Sequence, residues 1–445
     1  MSQSATTAAS PGSRSAVQGR WWIVVAALLL QFSIGAVYAW SVFSTALKKP
    51  EAMGLSNPQA SLPFTVTIGM IFIGTYIGGR IQDKVGPRPV ALTGGVIYGL
   101  GCIIASFAQS HNDSRLWLLV LGYGVISGFG LGLAYIVPIA MLQKWFPDKR
   151  GLITGLAVAG FGFGAVLTAP VAQWLIAMRP GSPNWAFLPL GIGYLVLSLI
   201  GASFFRNPPA GYTVAGWVPA TSGRVRDSDK QYTEKEALRS PQWYLLTAVL
   251  TLNVTVGIAL IAQANSSAVD IAHYSKSGAA ALVGVLALFN GGGRIFWAWI
   301  SGLTGRMMAF GLMLALQGVC LLLIPHASGA ALFFILAAII YLCYGGGFGT
   351  MPATAGDFFG VKHAGAIYGL MIVGWSLGGI VGPPIISSLI GSDKSYTLGY
   401  TVIGIIALVA LVLPLVTKMP RSKVDPPRGA AGVTPSDAAG DAVAT

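Results

Sequence analysis

The feature that most constrains this chain is a series of twelve apolar segments, each long enough to cross a lipid bilayer as an α-helix. Only 9% of the residues are charged, whereas ordinary soluble domains carry about 25%. The sequence therefore predicts an all-α membrane protein with twelve transmembrane helices. The segments are Trp21–Leu47, Gln59–Gln82, Val90–Gln109, Leu116–Leu142, Leu152–Met178, Trp185–Phe205, Trp243–Ala264, Ala279–Leu303, Met308–Ile324, Ala330–Ala353, Ala364–Ile390 and Leu398–Thr417.

The connections between segments carry an uneven distribution of lysine and arginine. If the N-terminus is cytoplasmic, 20 of the 27 basic residues fall on the cytoplasmic side and 6 on the other, with Arg294 inside a segment. Positive residues accumulate on the cytoplasmic side of membrane proteins. We therefore expect a multi-pass protein of the cell inner (plasma) membrane with both termini in the cytoplasm. The same distribution accounts for the net charge of +13 without a nucleic-acid partner.

One long connection divides the segments into six and six. Residues 207–240 hold most of the proline, glycine and charge found between segments, and we interpret them as a cytoplasmic linker. The linker separates an N-terminal half, 20–206, from a C-terminal half, 241–418. The polar, low-complexity ends, 1–19 and 419–445, are predicted to be disordered cytoplasmic tails.

The two halves repeat each other in sequence. At an offset of 214 residues, glycines and prolines coincide seven times. The pairs are Gly132/Gly346, Pro138/Pro352, Gly151/Gly365, Gly155/Gly369, Gly160/Gly374, Gly164/Gly378 and Pro170/Pro384. Parallel six-helix repeats of this kind enclose a substrate site near the bilayer midplane. A rigid structural duplication without transport is the alternative.

Arg294 lies about midway along the eighth apolar segment. A charged arginine at the bilayer centre costs roughly 2.5–3.5 kcal/mol on insertion scales. No acidic residue lies inside any apolar segment to pair with it. We infer that the missing anion is the substrate. The alternative is a guanidinium that hydrogen-bonds to backbone carbonyls and serves packing.

The connection between segments two and three, residues 79–88, resembles the signature loop of the major facilitator superfamily. It has Gly79, then Asp83, Gly86 and the basic Arg88 at the expected spacing. The resemblance implies a gate, in which Asp83 and Arg88 hold helix ends together by charge-assisted hydrogen bonds. The second-half counterpart has Gly302 where an aspartate is expected, so we expect the two halves of the gate to be held differently.

A closer resemblance covers residues 20–418. The stretches Trp145–Gly151 (WFPDKRG) and Phe289–Arg294 (FNGGGR) are similar to those of the oxalate/formate antiporter family, a relative of the monocarboxylate transporters. The resemblance implies that Arg294 binds the substrate carboxylate, and a guanidinium can bind a carboxylate through two hydrogen bonds. The aromatic residues at pocket positions of that family are Tyr38, Tyr135, Phe161, Tyr344 and Phe348.

Two positions depart from the relatives. Trp375 stands where the oxalate transporter has a second buried cation, a lysine. A single buried cation neutralises one carboxylate, and a dianion would leave uncompensated charge in a low dielectric. Asn290, four residues before Arg294, stands where animal monocarboxylate transporters commonly have an aspartate; an amide can orient the guanidinium or bind substrate but cannot carry a proton. Core packing is the alternative for Trp375.

The sequence thus predicts a secondary active transporter of small monocarboxylates, lactate- or pyruvate-like, that is coupled to protons and works by alternating access. Oxalate/formate-type exchange and, more remotely, a carboxylate sensor that does not transport are the alternatives. We expect a monomer without cofactor or metal. No nucleophile–base pair, metal-ligand cluster or phosphate loop is found at membrane depth, so the sequence does not predict an enzyme.

Overall fold

A computed structural model describes residues 11–108, 114–209, 211–214, 231–390 and 395–420. Twelve of its helices are long and apolar enough to cross a membrane, and they are numbered spans 1 to 12. They are Arg20–Ser44, Leu62–Val85, Pro87–Ser106, Leu116–Trp145, Pro147–Met178, Pro183–Ser203, Pro241–Ile261, Ala281–Thr304, Arg306–His326, Ala330–Phe359, Ala364–Gly382 and Thr397–Val416. The predicted all-α architecture is confirmed.

Several α-helices extend beyond these spans. The long helices are Pro11–Ile34, Asn57–Val85, Pro87–Ser106, Gly128–Trp145, Arg150–Met178, Phe187–Ser203, Pro241–Ala272, Lys276–Thr304, Arg306–Leu323, Ala330–Phe359, Val373–Leu389 and Thr397–Ala410. The shorter ones are Trp40–Leu47, Ser114–Leu119, Glu234–Leu238, Ala364–Met371 and Val412–Val416. The first helix is described from Pro11, so residues 11–19, expected in a disordered tail, are helical.

The helices of spans 1, 4, 11 and 12 are interrupted, and in span 12 the break is at Leu411, between the segments that end at Ala410 and begin at Val412. Span 1 contains a 3₁₀ turn at Gly35–Ala39, and span 4 contains a π-helical stretch at Val120–Ser127. The helix of span 11 is broken at Ile372, between the segments that end at Met371 and begin at Val373. Interruptions of this kind in membrane helices are tolerated where neighbouring helices cover the backbone.

The packing of the spans repeats between the two halves. Span 1 packs on span 5, span 2 on span 4 and span 3 on span 6; in the same way span 7 packs on span 11, span 8 on span 10 and span 9 on span 12. The halves meet through two equivalent junctions, span 2 against span 11 and span 5 against span 8. This is the arrangement of two parallel six-helix repeats.

The repeated glycines account for this symmetry. Gly155 meets the backbone of Arg294 at one junction, and its partner Gly369 meets the backbone of Thr75 at the other. Gly151 and Gly365 occupy the same junctions one turn away, and the pairs Gly160/Gly374 and Gly164/Gly378 lie against span 1 and span 7 respectively. Small residues let the helix backbones approach closely. The sequence repeat is therefore a repeat of helix contacts.

The predicted division into two halves at residues 206 and 241 stays a prediction. Residue 210 and residues 215–230, half of the predicted linker, lie outside the described residues, as do 1–10 and 421–445. The described end of the linker contains the short helix Glu234–Leu238, which begins with a capping box formed by Thr233 and Glu236.

The close contact between spans 8 and 10 gives a prediction for stability. A Cβ at Gly293 would collide with the backbone carbonyl of Leu342, whereas a Cβ at Gly292 meets nothing. Overpacking typically destabilises by about 1–3 kcal/mol, while glycine-to-alanine changes in an open helical position are favourable by up to about 1 kcal/mol. We expect Gly293→Ala to lower the melting temperature of the detergent-solubilised protein by several degrees, and Gly292→Ala to leave it equal or higher. Equal melting temperatures would contradict the packing described here.

Candidate carboxylate-binding site

Arg294 is the largest fully buried side chain described, with 1% of its surface exposed. Its Nη1 donates a hydrogen bond to the backbone carbonyl of Val158 in span 5, at 3.0 Å. Its Nε and Nη2 are buried and have no hydrogen-bond partner. These two nitrogens form one edge of the guanidinium, which is the edge that matches the two oxygens of a carboxylate. One nitrogen thus bonds to backbone, as the packing alternative expects, and two have no partner among the described residues. That a substrate anion pairs with these two stays a prediction.

The backbone of Arg294 is held between the two halves of the protein. Gly155 of span 5 and Gly349 of span 10 both lie against its carbonyl, and neither position has room for a Cβ. Gly162 of span 5 lies beside the guanidinium, where a Cβ would come within 3.3 Å of Nε. Glycines therefore both fix the position of the arginine backbone and leave space next to the unpaired nitrogens.

Two phenylalanine rings flank the guanidinium. Its Cζ lies 5.9 Å from the ring centre of Phe161 in span 5 and 5.2 Å from that of Phe348 in span 10. A guanidinium within about 6 Å of an aromatic face is attracted by the ring quadrupole. The rings thus partly compensate the buried charge and exclude water, while leaving hydrogen-bonding capacity unused.

The predicted aromatic residues join these two rings into one cluster. The ring-centre distances are 5.0 Å for Tyr135–Phe161, 5.2 Å for Tyr38–Phe161, 6.5 Å for Tyr38–Trp375, 5.5 Å for Phe348–Trp375 and 5.3 Å for Tyr344–Phe348. The phenol groups of Tyr38, Tyr135 and Tyr344 also interact electrostatically with Arg294. The structure therefore brings six of the other seven candidate substrate-binding residues together around the guanidinium of Arg294.

Asn290, the eighth candidate, occupies a different environment. Its Oδ1 is buried without a hydrogen-bond partner and lies against Gly345 of span 10. The guanidinium is oriented instead by the Val158 carbonyl. The close packing of span 8 on span 10 explains the difference, because it turns the Asn290 side chain toward the neighbouring helix.

Tyr368 belongs to the same surroundings but was not among the residues predicted from the sequence. It is 1% exposed, its hydroxyl makes no hydrogen bond of ordinary distance and angle, and it interacts electrostatically with Arg294, Tyr135 and Tyr38. A sequence signal existed: Tyr368 precedes Trp375 by seven residues, which places both on one helix face.

The predicted gate at the end of span 2 crosses between the halves through Asp83. The Asp83 carboxylate accepts a hydrogen bond at 3.2 Å from the backbone N–H of Ala366, in the first turn of span 11. Lys144 of span 4 lies 3.8 Å away on the other side. A carboxylate is stabilised at a helix N-terminus because unpaired N–H groups point toward it. Asp83 thus ties span 2 to span 11.

Arg88 and Gly86 act within the N-terminal half. Arg88 donates to the backbone carbonyl of Ser203 at the end of span 6, so it braces spans 3 and 6 and does not reach the other half. Gly86 separates the helices of spans 2 and 3 with φ of +91°, a conformation that a residue with a Cβ rarely adopts.

The second junction is closed by different residues, as the missing aspartate at Gly302 led us to expect. Asp357, at the end of span 10, accepts a hydrogen bond from Nε of Arg306 in span 9 at 2.7 Å. Arg150, at the start of span 5, lies 3.6 Å from the other oxygen of the same carboxylate. Asp357 therefore joins an arginine from each half. The carboxylate that closes this junction comes from span 10 and not from the connection between spans 8 and 9.

We call the side of the molecule that carries Asp83 and Asp357 the loop side. The described contacts between the halves run from this loop side to the depth of Arg294. They include Gly79 against Gly365, the hydrogen bond at 3.2 Å from Gln143 to the Pro352 carbonyl, and Gly162 near Gly291. On the far side of Arg294, the rings of Tyr38 and Trp375 come together across the interface. The site is thus enclosed from both directions, by helix packing on one side and by two aromatic rings on the other.

Comparison with known proteins agrees with this architecture. A family model described as Major Facilitator Superfamily matches residues 20–383 and 264–439. The chain is 27% identical over 406 residues to an oxalate:formate antiporter of Oxalobacter formigenes, covering 88% of this chain and 90% of that protein. It is 28% identical over 425 residues to monocarboxylate transporter 13 of Rattus norvegicus, covering 89% and 90%.

Among solved structures, the fold is similar to that of FucP, a Major Facilitator Superfamily transporter crystallised in the outward conformation. The TM-score is 0.67 at 14% sequence identity, and the match covers 90% of this chain and 100% of that one. At this identity the similarity concerns the fold alone.

The Asp357 cluster gives a prediction for stability. Asp357→Asn removes the carboxylate charge that Arg306 and Arg150 share, and breaking a buried ion pair typically costs about 3–5 kcal/mol. Glu234→Gln is the control, because Glu234 pairs at 3.2 Å with Arg80, whose side chain is 47% exposed against 17% for that of Glu234, and solvent-exposed pairs contribute about 0–1 kcal/mol. We expect a large loss of thermal stability in detergent for the first variant only. Similar melting temperatures would show that Asp357 does not hold the junction.

Proposed function

Because the chain belongs to the Major Facilitator Superfamily, a superfamily of membrane transporters, we propose that it is a secondary active transporter of small monocarboxylates. Its substrates resemble lactate or pyruvate, it is coupled to protons, and it works by alternating access. The observation that carries the proposal is the buried Arg294, which keeps one edge of its guanidinium unpaired inside an aromatic enclosure between the two halves.

The charge of the site favours a single carboxylate. The groups that act most strongly on Arg294 are tyrosine phenols, which are neutral near pH 7. One carboxylate neutralises the guanidinium, while a second would remain uncompensated in a low-dielectric enclosure. Tyr38, Tyr135, Tyr344, Phe161, Phe348 and Trp375 form the walls around the bound acid, and Asn290 is a more distant contributor.

In the proposed alternating access, the site opens to one side of the membrane at a time as the contacts between the two halves separate. For the site to open toward the loop side, span 2 must leave span 11 and span 5 must leave span 8. The contacts that break are the hydrogen bond from Ala366 to Asp83 and the approach of Arg150 to Asp357. Opening in the other direction requires Tyr38 and Trp375 to separate. Gly86 and Arg88 keep the ends of spans 2, 3 and 6 together as one unit.

We place the protein in the inner (plasma) membrane with both termini in the cytoplasm, on the basis of its lysine and arginine distribution. The loop side, which carries Asp83, is then cytoplasmic. One chain supplies every wall of the enclosure, so a monomer suffices for transport.

Proton coupling does not need a carboxylate beside Arg294, because the acid can bring its own proton from the open side. The second candidate mode is exchange of one carboxylate for another, and the similarity to an oxalate:formate antiporter favours it. Both modes use the same site.

The first test is uptake of labelled L-lactate by proteoliposomes with an inward proton gradient. We expect gradient-driven accumulation by the native protein, loss of uptake in Arg294→Gln, and a loss of roughly 100-fold or more in Arg294→Lys, because disrupting a buried charge pair costs about 2–5 kcal/mol. Lysine keeps the charge but lacks the two-nitrogen edge. Arg80→Gln, an exposed position on span 2, is the control and should transport normally.

The same experiment separates the alternatives. Uptake only into vesicles preloaded with another carboxylate would replace proton coupling by exchange. Binding of lactate without any movement across the bilayer would indicate a sensor. Normal uptake by Arg294→Gln would show that the substrate binds elsewhere.

Trp375 provides a test of the charge argument. Trp375→Lys adds a second cation beside the enclosure, so we expect the ratio of oxalate to lactate uptake to rise by about tenfold or more, equivalent to roughly 1.4 kcal/mol. Trp375→Phe removes the indole without adding charge and should leave the ratio near its native value. An unchanged ratio in the lysine variant would contradict the link between one cation and monocarboxylates.

A further inference from the structure

Tyr368 carries a buried polar group that the packing of the protein does not explain. It lies in the first helical segment of span 11, Ala364–Met371, and is 1% exposed. Its hydroxyl makes no hydrogen bond of ordinary distance and angle, although the Tyr135 hydroxyl lies close enough for a weak one. A buried hydroxyl without a partner is destabilising by roughly 1–3 kcal/mol, so native proteins seldom retain one without a reason.

The surroundings of this hydroxyl are those of the candidate site. Tyr368 interacts electrostatically with Tyr135, Arg294 and Tyr38, which belong to spans 4, 8 and 1. These residues come from both halves of the protein and line the enclosure. The Tyr368 side chain therefore faces the site between the halves and does not face lipid.

Among the aromatic residues described around Arg294, Tyr368 is the one whose hydroxyl is buried and makes no ordinary hydrogen bond. Tyr38 is partly exposed, so its hydroxyl has a route to other partners. Trp375 lies seven residues after Tyr368 and packs on Tyr38 and Phe348. The two residues of span 11 thus line the site at different levels, one with an unused hydroxyl and one with an aromatic wall.

A carboxylate would take the two N–H groups on the free edge of Arg294, out of the five that a guanidinium has. Nη1 is taken by the Val158 carbonyl, and the edge formed by Nε and Nη2 matches the two carboxylate oxygens. A further oxygen on carbon 2 of the acid would need a partner of its own. A tyrosine hydroxyl can donate to a 2-oxo group, and it can donate to or accept from a 2-hydroxyl group.

We propose that the Tyr368 hydroxyl hydrogen-bonds to the oxygen on carbon 2 of a 2-oxo or 2-hydroxy monocarboxylate held by Arg294. Tyr368 thereby makes the transporter prefer such acids to unsubstituted acids of the same size. This inference rests on the proposed function, since it concerns the same site. It assigns to one residue the discrimination between pyruvate or lactate and propionate, which has three carbons but no oxygen on carbon 2.

The test compares the KM for uptake of labelled pyruvate, L-lactate and propionate by proteoliposomes. The native protein should have a lower KM for pyruvate and lactate than for propionate. In Tyr368→Phe, which removes only the hydroxyl, we expect the KM for pyruvate and lactate to rise about tenfold and that for propionate to change less than twofold. Tyr400→Phe is the matched control, because its hydroxyl is also buried and unpartnered but lies in span 12.

Other outcomes overturn the inference. An equal rise of all three KM values would mean that Tyr368 supports packing, and no change would mean that its hydroxyl does not contact substrate. If Tyr368→Phe does not fold, a native KM for propionate equal to that for pyruvate decides against the inference by itself. Absence of transport of all three acids by the native protein refutes the proposed function and the inference with it, whereas transport with equal KM values refutes the inference alone.

Discussion

The rest of the structure depends on the burial of one positive charge. A charged group in a low-dielectric interior is tolerated only when nearby groups compensate it. Around Arg294 the buried charge is only partly compensated. One carbonyl and two aromatic faces stabilise the guanidinium, and two nitrogens have no hydrogen-bond partner. Under the proposed function, an anion that pairs with these two nitrogens would lower the free energy of the site, and this pairing would supply the binding energy for a carboxylate.

The duplication of the chain places this charge where both halves act on it. Spans 5 and 8 form one junction and spans 11 and 2 the other, and repeat-related glycines bring the backbones together at each. Arg294 has no charged equivalent at the junction of spans 2 and 11, where Thr75 meets Gly369. The two halves pack in the same way, but only one junction carries a buried arginine beside its glycine contacts. A movement of the halves relative to each other would therefore act on one charged site.

The sequence predicted the architecture well because long apolar segments and glycine spacing are local properties of the chain. It also predicted the aromatic residues around Arg294, although for these it needed resemblance to a family. It did not predict Tyr368, the Val158 carbonyl or the pairing of Asp357 with Arg150, because these depend on which helix faces meet across the interface. Asn290 was expected to orient the guanidinium or to bind substrate. Its Oδ1 lies against Gly345 without a hydrogen-bond partner, and its role stays a prediction.

The arrangement of Asp357 has a consequence for the speed of the conformational cycle. Its two arginines are not equivalent, since Arg306 belongs to the same half and Arg150 to the other. If the halves separate as proposed, Asp357 keeps its nearer partner Arg306 and loses Arg150. Its carboxylate then stays paired during opening, so this junction would add no uncompensated negative charge to the barrier between the conformations.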